Sequence, residues 1–272
     1  KNNTNFKCHN FGASLSLNNF LKKIDSTLYK QYTLEKFKEG HTGKSFVVDE
    51  PNFVFKKPVF KTKIVLPLCD EVESSRTYLQ KRRIDPRKFY YAENFKAFCN
   101  TYKEVFTNTT IDESRIIIPL YDESKTLIGF QGRALKSSST KYITVMLDDE
   151  APKLYGLETI NEKEPIYIVE GPFDSTFVEN AVAMCGSDVD IRSFNWSNHI
   201  WVLDNEPRNR EIVNRIAKLI DRGDKVVIWP TTIQEKDIND MILAGHDVMN
   251  MLKLNTYSGL EAKIKFNTWK KI

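Results

Sequence analysis

Two acidic signatures stand directly behind apolar runs: Glu170 follows Ile166-Tyr167-Ile168-Val169, and Asp204-Asn205-Glu206 follows Ile200-Trp201-Val202-Leu203. If those runs are parallel strands, their carboxyl ends deliver Glu170, Asp204 and Glu206 into one crevice. Asp204 and Glu206 are two apart, so a continued extended backbone would aim both to the same side, with Pro207 opening the next helix at its first position. Gathering carboxylates costs roughly 4 kcal/mol per close pair at an intermediate dielectric, and a hard divalent cation removes that cost. Mg²⁺ prefers carboxylate oxygens, waters and substrate phosphates, and a pair of such ions activates an attacking hydroxyl while steadying a leaving pyrophosphate. The chemistry predicted is nucleotidyl transfer. Any one of these acids alone reads as a loop residue or a helix cap. Asp174 stays open, because it precedes an expected helix over 175–180 and could simply cap it.

The elements that must position these acids are written in the pattern of the chain. From Pro165 onward, short apolar runs, including Ala181 to Met184 and Val226 to Trp229, alternate with amphipathic helical stretches, which predicts a parallel sheet covered on both faces. Upstream, Arg115 to Leu120 and Leu127 to Arg133 bracket the turn cluster Asp122-Glu123-Ser124 and predict a hairpin. Between Pro67 and Glu104 basic and aromatic residues alternate on a helical pattern broken at Asp85-Pro86, which predicts two short helices with a basic face. Within it, Arg82-Arg83 with Phe89-Tyr90-Tyr91 could stack single-stranded bases, or those rings could pack in the core. Ser16 to about Phe37 reads as one helix capped by Ser16. The fold expected is α/β: an α+β basic subdomain over 67–160 followed by an α/β subdomain with a mainly parallel sheet over 161–255. A segment 1–37, a linker 38–66 and a tail 256–272 frame them.

With 272 residues and 41% hydrophobic content the chain can bury a real core. Forty Lys and Arg against 36 Asp and Glu give +4, which fits a polyanion partner without demanding one. Cys8, Cys69, Cys99 and Cys185 are too scattered for staples, and no leader or long apolar run is present, so a cytoplasmic, reducing setting without membrane is expected. The opening at Lys1 suggests that the natural protein extends upstream. Gly40-His41-Thr42-Gly43-Lys44-Ser45 mimics a phosphate loop but carries Lys38 where its first glycine should stand, so it reads as linker. His41, His199 and His246 lack partners at ligand spacing, and Cys69, Cys99 and Cys185 read as packing.

Ile168 to Ser175, followed by Trp201 to Asn209, resembles the TOPRIM domain shared by primases, type IA and II topoisomerases and some nucleases, and is most similar to T-even-type phage primases. The resemblance implies that Glu170, Asp204 and Glu206 hold the catalytic Mg²⁺ ions. Many members carry Asp-x-Asp, so Glu206 keeps the charge and lengthens one arm. Ile128 to Leu135, Lys141 to Thr144 and Leu154 to Leu157 are similar to the basic lobe that precedes TOPRIM in bacterial-type primases and that topoisomerases and nucleases lack. It implies that Arg133 and Lys141 contact phosphates of template or incoming triphosphate, where the residues alone read as solvated charges on a β-edge. Lys236-Asp237-Ile238-Asn239-Asp240 resembles the third acidic element, which makes Lys236 a candidate nucleotide contact and Asp240, with Asp174, a further candidate ligand; N-capping by Asp237 competes.

Cys8-His9-Asn10-Phe11-Gly12 resembles the last knuckle of a zinc ribbon, with Phe11 where a second cysteine normally stands. Structural zinc needs four ligands, so Cys8 is a remnant and no Zn²⁺ is expected. The resemblance, from about Cys8 to the end of the chain, implies a DNA primase that makes RNA primers from ribonucleoside triphosphates on single-stranded DNA. It also implies a hexameric replicative helicase as partner and the cytoplasm of the phage-infected host as location. Two rivals are a TOPRIM nuclease, which would cleave template without ribonucleotides, and a non-catalytic single-stranded DNA-binding module, which would bind salt-sensitively and make no product.

Overall fold

In the computed structural model, which describes residues 5–7, 14–38, 63–138, 140–186 and 191–272, the chain divides into units of residues 1–57 and 58–272. In the first unit β1 (Asn5–Lys7) pairs antiparallel with β2 (Ser14–Ser16), ahead of α1 (Leu17–Ile24) and α2 (Ser26–Lys38). Ser16 caps α1, its hydroxyl accepting from the Asn19 amide at 3.4 Å. The single expected helix is two. Asp25 is extended, and its carboxylate accepts from the Thr27 and Leu28 amides at 2.8 and 3.1 Å, which starts a second helix. Cys8, His9, the 40–45 stretch with His41, and most of the expected linker lie outside the described residues.

The second unit opens with α3 (Glu73–Lys81), then β3 (Tyr90–Ala92) and α4 (Phe95–Asn100). β4 (Arg115–Tyr121) and β5 (Leu127–Ala134) form the expected hairpin, and β6 (Tyr142–Met146) completes an antiparallel sheet ordered β3-β4-β5-β6. Its turn is held by Asp122, whose Oδ1 accepts from the Ser124 and Thr126 amides at 2.9 and 2.7 Å. The chain breaks at Asp85-Pro86 and two short helices flank the break as expected, but the second, α4, starts only at Phe95, after a 3-10 turn, Pro86–Lys88, and the strand β3. Tertiary pairing overrides the helical pattern, because Tyr90 and Tyr91 stand opposite Ile117 and Ile116 of β4. Phe89 is fully buried, so packing rather than base stacking takes that ring.

The remaining strands are β7 (Leu154–Tyr155), β8 (Ile166–Val169), β9 (Ala181–Met184), β10 (His199–Val202), β11 (Lys225–Val227) and β12 (Thr256–Tyr257). The helices among and after them are α5 (Pro172–Ser175), α6 (Arg210–Asp221), α7 (Ile238–Ala244), α8 (Val248–Leu254) and α9 (Gly259–Trp269). The sheet runs β12-β11-β10-β8-β9-β7, with its inner four strands parallel and both edge strands antiparallel. The edge strands come from outside the 161–255 interval. β8 and β9 are buried along their whole length, as their continuous apolar runs require. On α6, Ile212, Val213, Ile216, Leu219 and Ile220 face the core at helical spacing.

Strand order matters most for function. From β8 the chain goes to β9 on one side, then returns past β8 to β10 on the other, so the sheet's topological switch lies between β8 and β10. The two sheets share a core: Phe173 of α5 packs edge-on against Phe89 at 5.4 Å and joins Ile116 and Ile118 of β4. Cys69, Cys99 and Cys185 are buried free thiols, as read from their surroundings; burial pushes the first two up to about 12.

Candidate active site

The crevice outside the carboxyl ends of two strands that diverge at a switch point is where open α/β sheets bind ligands. In register, Val202 of β10 stands opposite Val169 of β8, so Glu170 and Asp204 leave adjacent strands at nearly the same level. The Asp204 amide donates to Glu170 Oε1 at 3.2 Å, and Trp229 Nε1 donates to the Leu203 carbonyl at 2.7 Å, which pins the exit of β10. Glu170, Asp174, Asp204 and Asp237 line one small pocket floored by Val202 and Trp229.

The backbone does not stay extended past Asp204. The Glu206 amide donates to the Asp204 carbonyl at 2.9 Å, a tight turn that removes the alternation expected to align the two side chains. A cation gathers them instead: Lys236 Nζ lies 3.2 Å from Glu206 Oε1 and 4.0 Å from Asp204 Oδ2. Nor does Pro207 begin the next helix. Asn209 caps α6, its side chain accepting from the Glu211 amide at 3.0 Å while its Nδ2 donates to Glu206 Oε2 at 3.2 Å.

Asp174 does not cap a helix over 175–180. It sits inside the short α5, whose first position is Pro172, and its Oδ1 accepts from the Asn239 amide at the start of α7 at 2.9 Å. Asp237 does cap α7, accepting from the Asp240 amide at 2.8 Å, and still faces the pocket. Asp240 is exposed on the first turn of α7 and does not line the pocket.

Electrostatics mark the acids as a strained set. Burial, followed by the charges of Glu170, Asp174 and Asp237, pushes Asp204 up to about 8. Asp174 rises to about 7 through burial and the charge of Asp237, against the hydrogen bond from Asn239. Glu170 is raised by burial, with Arg215 of α6, 3.9 Å away, opposing. Burial works against the charge of Lys236, but the hydrogen bond and charge of Glu206, then Asp204 and Asp237, carry it above an ordinary lysine. Among the described residues no three His, Cys, Asp or Glu side chains already stand at ion-holding distances. The donor set nevertheless fits Mg²⁺: it is all oxygen, and its carboxylates outnumber the cations in contact with them.

A basic cluster on and beside the antiparallel sheet lies within electrostatic reach of these acids, Arg82 acting on Asp174 and Lys141 feeling Asp237. Arg133 of β5, only 7% exposed, lies 4.6 Å from the Tyr142 ring centroid, and its Nε donates to Tyr78 Oη at 3.1 Å. Partial desolvation lowers the pKa of Lys141, as do the charges of Arg133, Arg82 and Lys236, while Asp237 raises it, so it feels both the basic cluster and the acids. Arg82 stacks 5.1 Å from the Tyr78 ring centroid and joins the two sheets by exchanging hydrogen bonds with Asn239 at 2.9 and 2.8 Å. Arg83 donates to the Ile242 carbonyl at 3.0 Å.

Three contributors escaped the sequence reading. Asp237 carried a signal, since it lies in the third acidic stretch, but capping masked its second role. Arg215 carried none beyond an ordinary basic position on an amphipathic helix. Asn205 looked like a spacer between two acids.

A parallel sheet with acids at its switch point, set beside a basic antiparallel lobe, is the architecture of a TOPRIM nucleotidyltransferase. No protein-family model matches the chain. Over its full length it is 32% identical, along 287 aligned positions, to the DNA primase of Enterobacteria phage T4, and it covers 83% of that protein. Its fold is similar to a DnaG primase catalytic domain bound to single-stranded DNA (TM-score 0.53, 20% identity, 72% of this chain and 75% of that one). It is also similar to the E. coli primase catalytic core (TM-score 0.52, 19% identity, 72% and 76%). A third is the RNA polymerase domain of Mycobacterium tuberculosis DnaG in complex with a double-stranded DNA with an overhang (TM-score 0.54, 18% identity, 72% and 77%). The chain belongs to the DNA primases, the nucleotidyltransferases that make RNA primers for DNA replication.

Proposed function

We propose that the crevice at the β8/β10 switch joins ribonucleotides on a single-stranded DNA template, with Glu170, Asp204 and Glu206 as the Mg²⁺ ligands and Asp174 and Asp237 as neighbouring acids. The observation that carries this reading is the convergence of Glu170, Asp174, Asp204 and Asp237 on one pocket at the β8/β10 switch, with Glu206 at its rim against Lys236 and with Lys141 feeling the charge of Asp237. Bound there, Mg²⁺ would activate the attacking hydroxyl and stabilise the leaving pyrophosphate. Glu206 and Lys236 have partly exposed side chains and can exchange their mutual contact for an ion and a phosphate. Arg133, oriented by Tyr78 and Tyr142, and Lys141 beside it supply positive charge for template or triphosphate phosphates. Asp240, on the exposed side of α7, would enter the metal set only through a shift of that helix.

In this reading residues 67–160 form the nucleic-acid lobe and 161–255 the catalytic lobe, and the chain works with Mg²⁺ and without zinc. Stoichiometric zinc on metal analysis would overturn the last point. No described helix is long and apolar enough to cross a membrane. The host cytoplasm is the proposed location and a hexameric replicative helicase the proposed partner, tested by co-sedimentation with that helicase.

The experiment is a primer-synthesis assay on single-stranded template with Mg²⁺ and ribonucleoside triphosphates. Short RNA products are expected. Template cleavage without ribonucleotides would favour a nuclease, and salt-sensitive binding without product a DNA-binding module.

A further inference from the structure

We propose that Asn205 and Trp269 act as a positioning pair for the cation site, which makes the carboxyl-terminal helix α9 a working part of the active centre. Asn205 lies between Asp204 and Glu206, yet its side chain turns away from the pocket. Its Nδ2 donates to the Ile233 and Glu235 carbonyls at 3.2 and 3.0 Å, and its Oδ1 accepts from Trp269 Nε1 at 2.9 Å. Its amide donates to the Lys236 carbonyl at 2.7 Å. Both ends of the side-chain amide are therefore engaged, across two separate stretches of chain.

Those bonds fix one distance that matters. Asp204 and Glu206 leave β10, whereas Lys236 and Asp237 arrive on the segment before α7; besides the exposed Lys236 ion pair, Asn205 ties the two through three hydrogen bonds. Trp269, 2% exposed and stacked beside Phe266, fixes the orientation of that tie. A second strut runs beside it, where the Lys271 amide donates to the Pro207 carbonyl at 2.8 Å. Without the indole N–H, the Asn205 side-chain amide keeps its two bonds to the Ile233 and Glu235 carbonyls but loses its anchor to α9, and the spacing between the two acidic segments relaxes. Neither residue touches reacting atoms; both act through the carboxylates.

This inference rests on the reading that Glu170, Asp204 and Glu206 hold divalent cations, and the test separates the two. Mn²⁺ binding to the full chain is followed by electron paramagnetic resonance, with the metal-free melting temperature measured alongside. Trp269→Phe, which keeps the ring packing and deletes one donor, should weaken Mn²⁺ by about fivefold, the effect of one ordinary hydrogen bond. Asn205→Ala should weaken it at least as much, and the double variant no further than the weaker single. Asp204→Asn should abolish binding; retained binding there sinks the cation-site reading itself. If Asp204→Asn loses Mn²⁺ while Trp269→Phe and Asn205→Ala bind like the parent, the positioning pair is wrong. Additive losses in the double variant would also overturn it. Should Trp269→Phe fail to fold, Asn205→Ala decides the matter alone.

Discussion

The ammonium group of Lys236 stands between the two acids of the β10 turn, 3.2 Å from Glu206 Oε1 and 4.0 Å from Asp204 Oδ2. Its side chain is 54% exposed, so this bridge contributes little to stability and matters through its placement. Lys236 holds together two carboxylates that repel one another, and in the function proposed above it also meets the incoming phosphate. Replacing it with Met should raise the ribonucleotide KM about tenfold in primer synthesis and leave kcat less affected. An unchanged KM would remove Lys236 from the nucleotide site.

Glu170→Gln keeps the side-chain shape and an oxygen for the Asp204 amide but removes one negative charge from the pocket. Primer synthesis should fall by about two orders of magnitude, the scale of losing one electrostatic group at a reacting centre. The metal-free melting temperature should hold or rise, because Asp204 loses a repulsive neighbour. Near-parental synthesis would end the assignment of Glu170.

The raised pKa values of Asp204, about 8, and Asp174, about 7, give the metal-free protein a definite pH dependence. Both groups hold protons in the folded state over a range where the unfolded chain, titrating near 3.8, has already released them. The folded state binds more protons in that window, so stability must fall as pH rises from about 4 towards 8. Mg²⁺ held at the proposed site would compete with the Asp204 proton and should raise the melting temperature more at pH 8 than at pH 6. Thermal denaturation at both pH values, with and without Mg²⁺, checks this; equal Mg²⁺ shifts would contradict it.

Arg115 is fully buried, stacks 5.3 Å from the Phe95 ring centroid, pairs with Glu113 and donates to the Gly132 and Thr140 carbonyls at 2.9 and 2.8 Å. It ties down the loop that leads to Lys141. Arg115→Met should cost about 2–4 kcal/mol in chemical denaturation, because Glu113 loses its partner and the loop its anchor. Hydrogen exchange of the amides near Lys141 should accelerate with it; unchanged protection would confine Arg115 to a local packing role.

Gly132→Ala tests the same lobe by volume. A Cβ there would stand 2.3 Å from Phe95 Cε2 and 2.7 Å from Cζ, inside the ring's contact distance. Displacing Phe95 should cost about 1–3 kcal/mol, read as a lower denaturation midpoint.

Much of this protein was legible from its residues in order. The apolar runs of β8, β9, β10 and β11, the hairpin of β4 and β5, and the acids behind two strands are local patterns, because period and burial are written into neighbouring residues. Tertiary structure alone decided that β8 lies between β9 and β10, which turns two sequence-distant acids into neighbours. It alone turned Phe89 and Tyr90 from a helical pattern into core and strand, and brought Asp237 to the pocket while also capping α7. Asn205 meets Trp269 across 64 positions, a bond that no spacing announces. Hydrophobic period is a property of a segment and survives without its neighbours. A carboxylate's pKa and an amide's partner are properties of what the fold brings beside them, and the strand order had to exist before either could be set.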